Sequence, residues 1–137
     1  MVGVSRNPKD FTRTLFRELC ERGYDVVPVN PNATEMDGVP CFPHVQDVAP
    51  GVDGALLVTN AAVSEEAVRE CSAAGVRRIW LHRGGGSGAV SQGAVDFCEA
   101  NGMAVVAGEC PFMFLPDTGM VHRFHGFCRK LIGRYPK

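Results

Sequence analysis

Residues 65–81 read EEAVRECSAAGVRRIWL: a helical pattern, a glycine and an apolar strand pattern in succession. They predict a helix over Glu65–Ala74, a turn at Gly75 and a strand over Val76–Leu81. Glycine just past a helix end takes a positive φ without a Cβ clash, so it stops the helix and turns the chain. The same order occurs twice more, as Leu15–Arg22, Gly23 and Tyr24–Val29, and as Gln92–Asn101, Gly102 and Met103–Ala107.

The strand segments are apolar almost throughout, which is typical of parallel strands covered on both faces. We therefore predict an α/β protein with a Rossmann-like, doubly wound parallel sheet of about five strands, helices on both faces and a C-terminal helix. Ser64 and Ser91 are the predicted N-caps of the second and third helices. The first strand would begin at Met1, so either the natural chain begins upstream or this strand is unusually short. The predicted strands are Val2–Val4, Tyr24–Val29, Gly54–Thr59, Val76–Leu81 and Met103–Ala107.

Length and composition favour one globular domain over residues 1–137. Hydrophobic residues make up 45% of the chain and the formal net charge is −1, so nothing favours bulk attraction to nucleic acid or to an acidic membrane. No apolar run approaches the roughly 20 residues that span a bilayer. We expect neither a membrane span nor a secretory signal, and the expected location is the cytoplasm.

Cysteine and histidine spacings give no metal site. The six cysteines are all more than three residues apart, which excludes zinc-ribbon and thioredoxin spacings, and we predict reduced thiols. His122 and His125 have the spacing of two ligands on one helix face, but no third ligand accompanies them. Cys110 offers a thiol that could react with a thioester, although burial is the prediction. The cysteines are Cys20, Cys41, Cys71, Cys98, Cys110 and Cys128.

The loop after the first strand is a candidate anion site, because doubly wound sheets bind ligands beyond the carboxyl ends of their strands. Residues 3–8 read GVSRNP and offer a glycine, a hydroxyl and backbone amides before a helix. Arg6, Lys9 and Arg13 add positive charge nearby. An ordinary turn with solvated basic residues explains the loop equally well.

The end of the second strand argues against NAD. That strand ends in Asn30-Pro31-Asn32, where an NAD-binding domain usually has a carboxylate for the adenosine ribose. A carboxylate would repel a ribose phosphate, whereas asparagine can donate a hydrogen bond to it. The G-x-G-x-x-G fingerprint is also missing after the first strand. A nucleotide with a phosphorylated ribose is therefore favoured.

The ordered set of these motifs resembles the small coenzyme A-binding proteins related to the N-terminal domain of the succinyl-CoA synthetase alpha subunit. The resemblance covers roughly residues 1–111, leaving 112–137 as a C-terminal helical extension. In place of the ligase glycine loop the chain has Ser5-Arg6-Asn7-Pro8, and Asn32 stands where the ligases have a lysine. The matching stretches are residues 3–8, 23–31, 38–43, 80–81 and 109–111.

The resemblance implies that the first loop holds a pyrophosphate, that the Asn-Pro turn lies near the adenosine, and that the loop after the third strand flanks the ligand. The implied cofactor-binding residues are Gly3, Val4, Ser5, Arg6, Asn7, Asn30, Pro31, Asn32, Val58, Thr59 and Asn60. The implied ligand is coenzyme A (CoA) or an acyl-CoA.

Three functions stay open. The leading one is CoA binding without catalytic residues, since no catalytic constellation is found and His82 is predicted to be structural. The second is an NAD(P)-binding oxidoreductase or redox regulator, in which Asn30 and Arg6 would accept the 2′-phosphate of NADP. The third is a stand-alone partner of a split acyl-CoA ligase, because the ligase domain that carries the phosphorylated histidine has no room in this chain.

The tail from Gly119 to Arg134 has an apolar stripe at helical spacing. It predicts a helix that packs on its own sheet. A homodimer contact and membrane-surface binding are the alternatives. The stripe consists of Met120, Val121, Phe124, Phe127, Cys128, Leu131 and Ile132.

Overall fold

A computed structural model describes residues 1–48, 51–84, 86 and 88–115. Its helices are α1 (Phe11–Glu21), α2 (Ala61–Ala73) and α3 (Gln92–Ala100), and its strands are β1 (Glu35–Met36), β2 (Val39–Pro40), β3 (Ala55–Leu57), β4 (Arg78–Leu81) and β5 (Ala104–Ala107). Two 3-10 turns, Val45–Asp47 and Pro111–Met113, lie before β3 and after β5.

The central feature is a parallel sheet in the order β3-β4-β5. In its register, Ile79 of β4 lies between Ala55 and Val105. Ala55, Leu57, Ile79 and Leu81 are buried in one cluster with residues of α2 and α3, which therefore cover this face of the sheet. The prediction of an α/β protein with parallel strands is confirmed. Cys71 and Cys98 belong to this cluster as small buried side chains.

The first two predicted strands are present only as single bridges. Val2 bridges Val29 on one side and Leu57 on the other, and Val29 also bridges Phe42, all in parallel. Ladders over Val2–Val4 and Tyr24–Val29 are not found. Pro28 cannot donate to a ladder, and Gly3, with a φ of +89°, turns the chain out of the sheet after one bridge.

A short antiparallel hairpin was not predicted. Strands β1 and β2 pair Glu35 with Pro40 and Met36 with Val39. The turn between them is Asp37-Gly38, and both residues have positive φ, 50° and 82°. Asp-Gly is a strong signal for such a turn, so the hairpin was readable from the sequence.

Two helices begin earlier than predicted. Helix α1 begins at Phe11, not Leu15, with Asp10 as its N-cap. Helix α2 begins at Ala61, because the side chain of Asn60 accepts a hydrogen bond from the Val63 amide at 3.0 Å. Ser64 was wrongly predicted as this cap.

The Ser91 cap of α3 is confirmed, since its hydroxyl accepts from the Ala94 amide at 3.4 Å. The predicted C-terminal helix, His122 and His125 lie outside the described residues. Within the described part, no helix is long and apolar enough to cross a membrane.

Candidate functional site

Three loops that the sequence predicted as ligand-binding meet at the carboxyl edge of the parallel strands. The Gly3 amide donates to the Val29 carbonyl at 2.9 Å, and the Val58 amide donates to the Val2 carbonyl at 2.9 Å. These bonds place residues 3–7 between residues 30–32 and 58–60. The eleven predicted residues therefore come together, although their role in binding stays a prediction.

Gly3 is the point of closest approach between two of these loops. A Cβ placed on Gly3 would lie 2.6 Å from Cγ2 of Thr59 and 3.2 Å from its backbone nitrogen. Together with its positive φ, this contact requires glycine. The close approach fixes the first loop directly against the end of β3.

The first loop is built by its own polar side chains. The Ser5 amide donates to Oγ1 of Thr12 at 2.9 Å, the Asn7 amide to Oγ of Ser5 at 3.1 Å, and the Lys9 amide to Oδ1 of Asn7 at 3.0 Å. The sequence predicted free amides along this loop, but these three are already used. Among the described residues, the Arg6 amide has no such partner and remains available to a ligand, whereas the Val4 amide is enclosed because Val4 is fully buried.

Positive charge at the loop comes from fewer residues than predicted. Arg6 and Lys9 are exposed and form no ion pair with the described part of the chain. Arg13, expected to contribute as well, is buried and committed to the fold. Its Nε donates to Oδ2 of Asp37 at 3.1 Å, and its Nη2 pairs with the other carboxylate oxygen.

Arg13 instead stabilises the first loop from beneath the site. Its Nη1 donates to the carbonyls of Ser5 at 3.3 Å and Arg6 at 3.5 Å, so one side chain holds the first loop to the hairpin turn. The hydrogen bond from Arg13 holds the pKa of Asp37 below its ordinary value. Sequence reasoning missed this pair, since the two residues are 24 positions apart and nothing local signals it.

Asn30 also has a structural task. Its Nδ2 donates to the Val4 carbonyl at 2.9 Å, and its Oδ1 accepts from the Asn32 amide at 2.8 Å. The side chain thus ties the ends of the first two strand segments together. Pro31 and Asn32 are exposed beside it. The sequence assigned Asn30 to the ligand alone.

We now expect Asn30→Asp to destabilise the protein by about 1–3 kcal/mol, because the carboxylate cannot donate to the Val4 carbonyl and faces it instead. Chemical denaturation of the ligand-free protein measures this effect. Asn32→Asp is the matched control, since Asn32 is exposed and only its backbone amide takes part in the turn. Equal midpoints for the parent and Asn30→Asp would contradict the structural role.

The third loop is locked by hydroxyl groups. Oγ1 of Thr59 lies 2.7 Å from Oγ of Ser64, which in turn donates to the Asn60 carbonyl at 3.0 Å. Ser64 is fully buried, and Val58 is half-buried. Ser64 therefore rigidifies the loop that the sequence assigned to the ligand, in place of the capping role predicted for it.

A cluster of aromatic rings lies at the carboxyl edge of the sheet, just after β4. The ring of Phe11 stacks on His82 at 5.3 Å between centroids and meets Phe112 edge-on at 5.8 Å. Burial lowers the pKa of His82, which keeps the imidazole neutral near pH 7. Burial also raises the pKa of the Cys110 thiol, so it stays protonated. The sequence analysis did not single out Phe11 or Phe112.

The chain matches a known protein family over most of its length. A family model described as the CoA binding domain matches residues 1–116. The chain belongs to the CoA-binding domain family. The resemblance inferred from the ordered motifs is thereby confirmed.

Two relatives of the chain are ADP-forming acetate–CoA ligases. Acetate–CoA ligase (ADP-forming) I of Archaeoglobus fulgidus is 28% identical over 126 residues, which are 88% of this chain and 18% of the ligase. The alpha subunit of acetate–CoA ligase (ADP-forming) II of Pyrococcus furiosus is 26% identical over 117 residues, 80% of this chain and 26% of the subunit. The chain thus spans about a fifth to a quarter of the length of these relatives.

Solved structures show the same fold. A conserved hypothetical protein from Pyrococcus furiosus superposes with a TM-score of 0.73 at 30% identity, over 80% of this chain and 91% of that one. The dinucleotide-forming acetyl-coenzyme A synthetase 1 of Ca. Korarchaeum cryptofilum, in complex with phosphate and ADP, gives a TM-score of 0.68 at 28% identity over 78% and 24% of the two chains. The matched family lends no support to the NADP alternative.

Proposed function

We propose that this CoA-binding domain binds CoA or an acyl-CoA at the carboxyl edge of its parallel strands. The observation that carries the proposal is the meeting of three separate loops, with Gly3 packed against Thr59. These are the loops to which the family resemblance assigns the ligand. The arrangement leaves the exposed cations Arg6 and Lys9 and the Arg6 backbone amide on one side of the edge.

In the proposed complex, the pyrophosphate lies over the first loop. The amide of Arg6 and the side chains of Arg6 and Lys9 supply its hydrogen-bond donors and positive charge. The adenosine lies towards Pro31 and Asn32, which are exposed at the next loop. Residues 58–60 then flank the ligand on the opposite side.

The isolated β-bridges described above support a sheet with more strands than β3, β4 and β5 alone. They place Phe42, Val29, Val2 and Leu57 side by side in parallel, and β4 and β5 continue from Leu57. We infer that these segments form a doubly wound sheet whose chain order reverses at Val2. Open α/β sheets bind their ligands at such a point, and the first loop leaves the sheet there.

A role in binding without chemistry is supported by the polar groups near the proposed site. His82 is buried against Phe11 with a lowered pKa, and the Cys110 thiol is protonated. The polar side chains of the third loop bond to one another. We therefore propose that the described part of the chain holds the nucleotide and leaves reaction steps to other components.

Titration calorimetry with CoA, dephospho-CoA and NAD tests the proposal. We expect saturable binding of CoA, weaker binding of dephospho-CoA because the ribose phosphate is lost, and the weakest binding of NAD. Saturable NAD binding together with no heat from CoA would refute the proposed function.

Arg6→Ala is expected to weaken CoA binding by about 1.5–3 kcal/mol, the usual range for a hydrogen bond to a charged group. That energy corresponds to roughly tenfold or more in the dissociation constant. The same titration measures it. Arg77→Ala is the control, because it removes an exposed arginine just before β4, at the amino end of the strands. Equal losses in both variants would show that the effect comes from net charge and not from the loop.

A second candidate function is that of a partner in a split ADP-forming acyl-CoA ligase. It is favoured by the relatives, in which a matching segment is part of a ligase or of a separate alpha subunit. Purification of the tagged chain from its native cells tests this idea. We expect co-purification of an ATP-grasp subunit and CoA-ligase activity in the combined fraction. A chain that binds CoA but brings down no such subunit would exclude the partner role.

A further inference from the structure

One face of the parallel sheet is covered by no helix that the structure describes. Leu56, Trp80 and Val106 are register partners on neighbouring strands and point to the face opposite α2 and α3. All three are only half-buried. Parallel sheets of this kind are normally covered on both faces, because their strands are apolar on both.

The described residues around these three side chains line a groove of about 830 Å³. Val27 and Leu19 form one wall and Phe114 another. None of the eleven predicted ligand residues lines this groove. The groove is therefore separate from the proposed CoA site.

We propose that the groove is the docking site of the chain's own C-terminal segment, residues 116–137. The described chain reaches the groove immediately before this segment begins. Phe114 lines the groove and packs edge-on against Trp80 with 5.3 Å between ring centroids, and the Trp80 indole donates to the Glu109 carbonyl at 2.8 Å. The described part of the chain therefore ends at the rim of the groove.

The sequence of the segment has an apolar face that matches the apolar lining of the groove. Residues 119–134 place seven apolar side chains on one side of a helical wheel, with Phe124 and Leu131 near its centre and His122 on the far side. Sixteen helical residues extend about 24 Å, more than the roughly 13 Å of a four-residue strand, so the segment can run the full length of the strands.

Charge supports one direction of docking. Asp25, Asp53 and Arg78 line the end of the groove at the amino ends of the strands, away from the edge where Phe114 lies, and together carry a formal charge of −1. The late part of the segment carries Arg129, Lys130 and Arg134. A segment that runs from the carboxyl edge towards the amino ends brings opposite charges together.

Photo-crosslinking in the full chain tests the proposal without removing an apolar contact. A benzoylphenylalanine at position 124 nearly preserves the phenylalanine and, on irradiation, is expected to attach within the same chain to the peptide that contains Trp80 or Val106. The same probe at position 122 is the control and should not label the groove. Crosslinks between two chains, or none at the groove, would overturn the proposal, the first in favour of a homodimer.

Tryptophan quenching gives an independent readout, since Trp80 is the only tryptophan in the chain. In the parent chain, we expect Trp80 to resist acrylamide quenching at all protein concentrations. Phe124→Glu and Leu131→Glu should raise quenching towards that of the unfolded chain, whereas His122→Glu introduces the same charge and should not. Protection that is lost on dilution, or that persists in both apolar variants, would contradict the proposal.

Discussion

Gly3→Ala is expected to lower the free energy of unfolding by about 3 kcal/mol and to abolish CoA binding at the concentrations that saturate the parent. The φ of +89° costs an L-residue about 1–2 kcal/mol. The new methyl group would lie 2.6 Å from Cγ2 of Thr59, and overpacking of this kind costs about 1–3 kcal/mol. Relief of the clash would separate the first and third loops, so both stability and affinity are expected to fall.

Gly23→Ala separates the two causes. Gly23 has a φ of +85°, close to that of Gly3, but a Cβ there meets nothing within 4 Å. It should cost only the backbone strain, about 1–2 kcal/mol, and leave CoA binding intact. Adding Thr59→Ser to Gly3→Ala removes the clashing methyl group and keeps the hydroxyl beside Ser64, so partial rescue is expected. Denaturation midpoints and titrations measure both. Equal effects of the two glycine substitutions would refute the close-approach argument.

Arg13→Ala is expected to cost about 1.5–3 kcal/mol of stability, the range for hydrogen bonds to a charged group, because Arg13 is buried while its partner Asp37 is exposed at the hairpin turn. The substitution removes the pair with Asp37 and the hydrogen bonds to the carbonyls of Ser5 and Arg6. Arg17→Ala is the control. Arg17 lies 3.8 Å from the same carboxylate, but its side chain is 41% exposed, so its loss should cost less than about 1 kcal/mol.

The pH dependence provides a second check on this pair. Because Arg13 lowers the pKa of folded Asp37, the ionised carboxylate stabilises the fold above its ordinary pKa of 3.8, and this contribution is lost as the pH falls below that value. The difference in stability between the parent and Arg13→Ala should therefore shrink from pH 7 to pH 3. A difference that stays constant over this range would show that Asp37 is not the partner that matters.

The parallel core could be predicted because two signals are local in the sequence. An apolar pattern indicates a buried strand, and a glycine after a helix indicates that the chain turns there. The two later helix–glycine–strand repeats became α2 with β4 and α3 with β5. The hairpin at Asp37-Gly38 was also readable, as its turn residues alone favour positive φ. These features depend on neighbouring residues in the sequence.

The remaining features depend on contacts between distant residues. Asn60 and Ser64 are both residue types that favour the N-cap position. Asn60 is the cap in the structure, where the Ser64 hydroxyl is paired with that of Thr59 and Thr59 is packed against Gly3. Likewise, the sequence shows that Arg13 is charged but not that it is buried beneath the first loop. The three ligand loops could be named from the family resemblance. The hydrogen bonds inside these loops could not be predicted from the sequence. They leave only some of the backbone amides available to a ligand.

The most direct test of CoA binding at this edge is a map of amide chemical shifts during titration with CoA. We expect saturable shifts concentrated in residues 3–7, 30–32 and 58–60, with the Arg6 amide among the largest. We expect little change at Leu56, Trp80 and Val106, which lie in the groove on the sheet face away from α2 and α3. Saturable shifts confined to the groove, or none at the three loops, would contradict CoA binding at this edge.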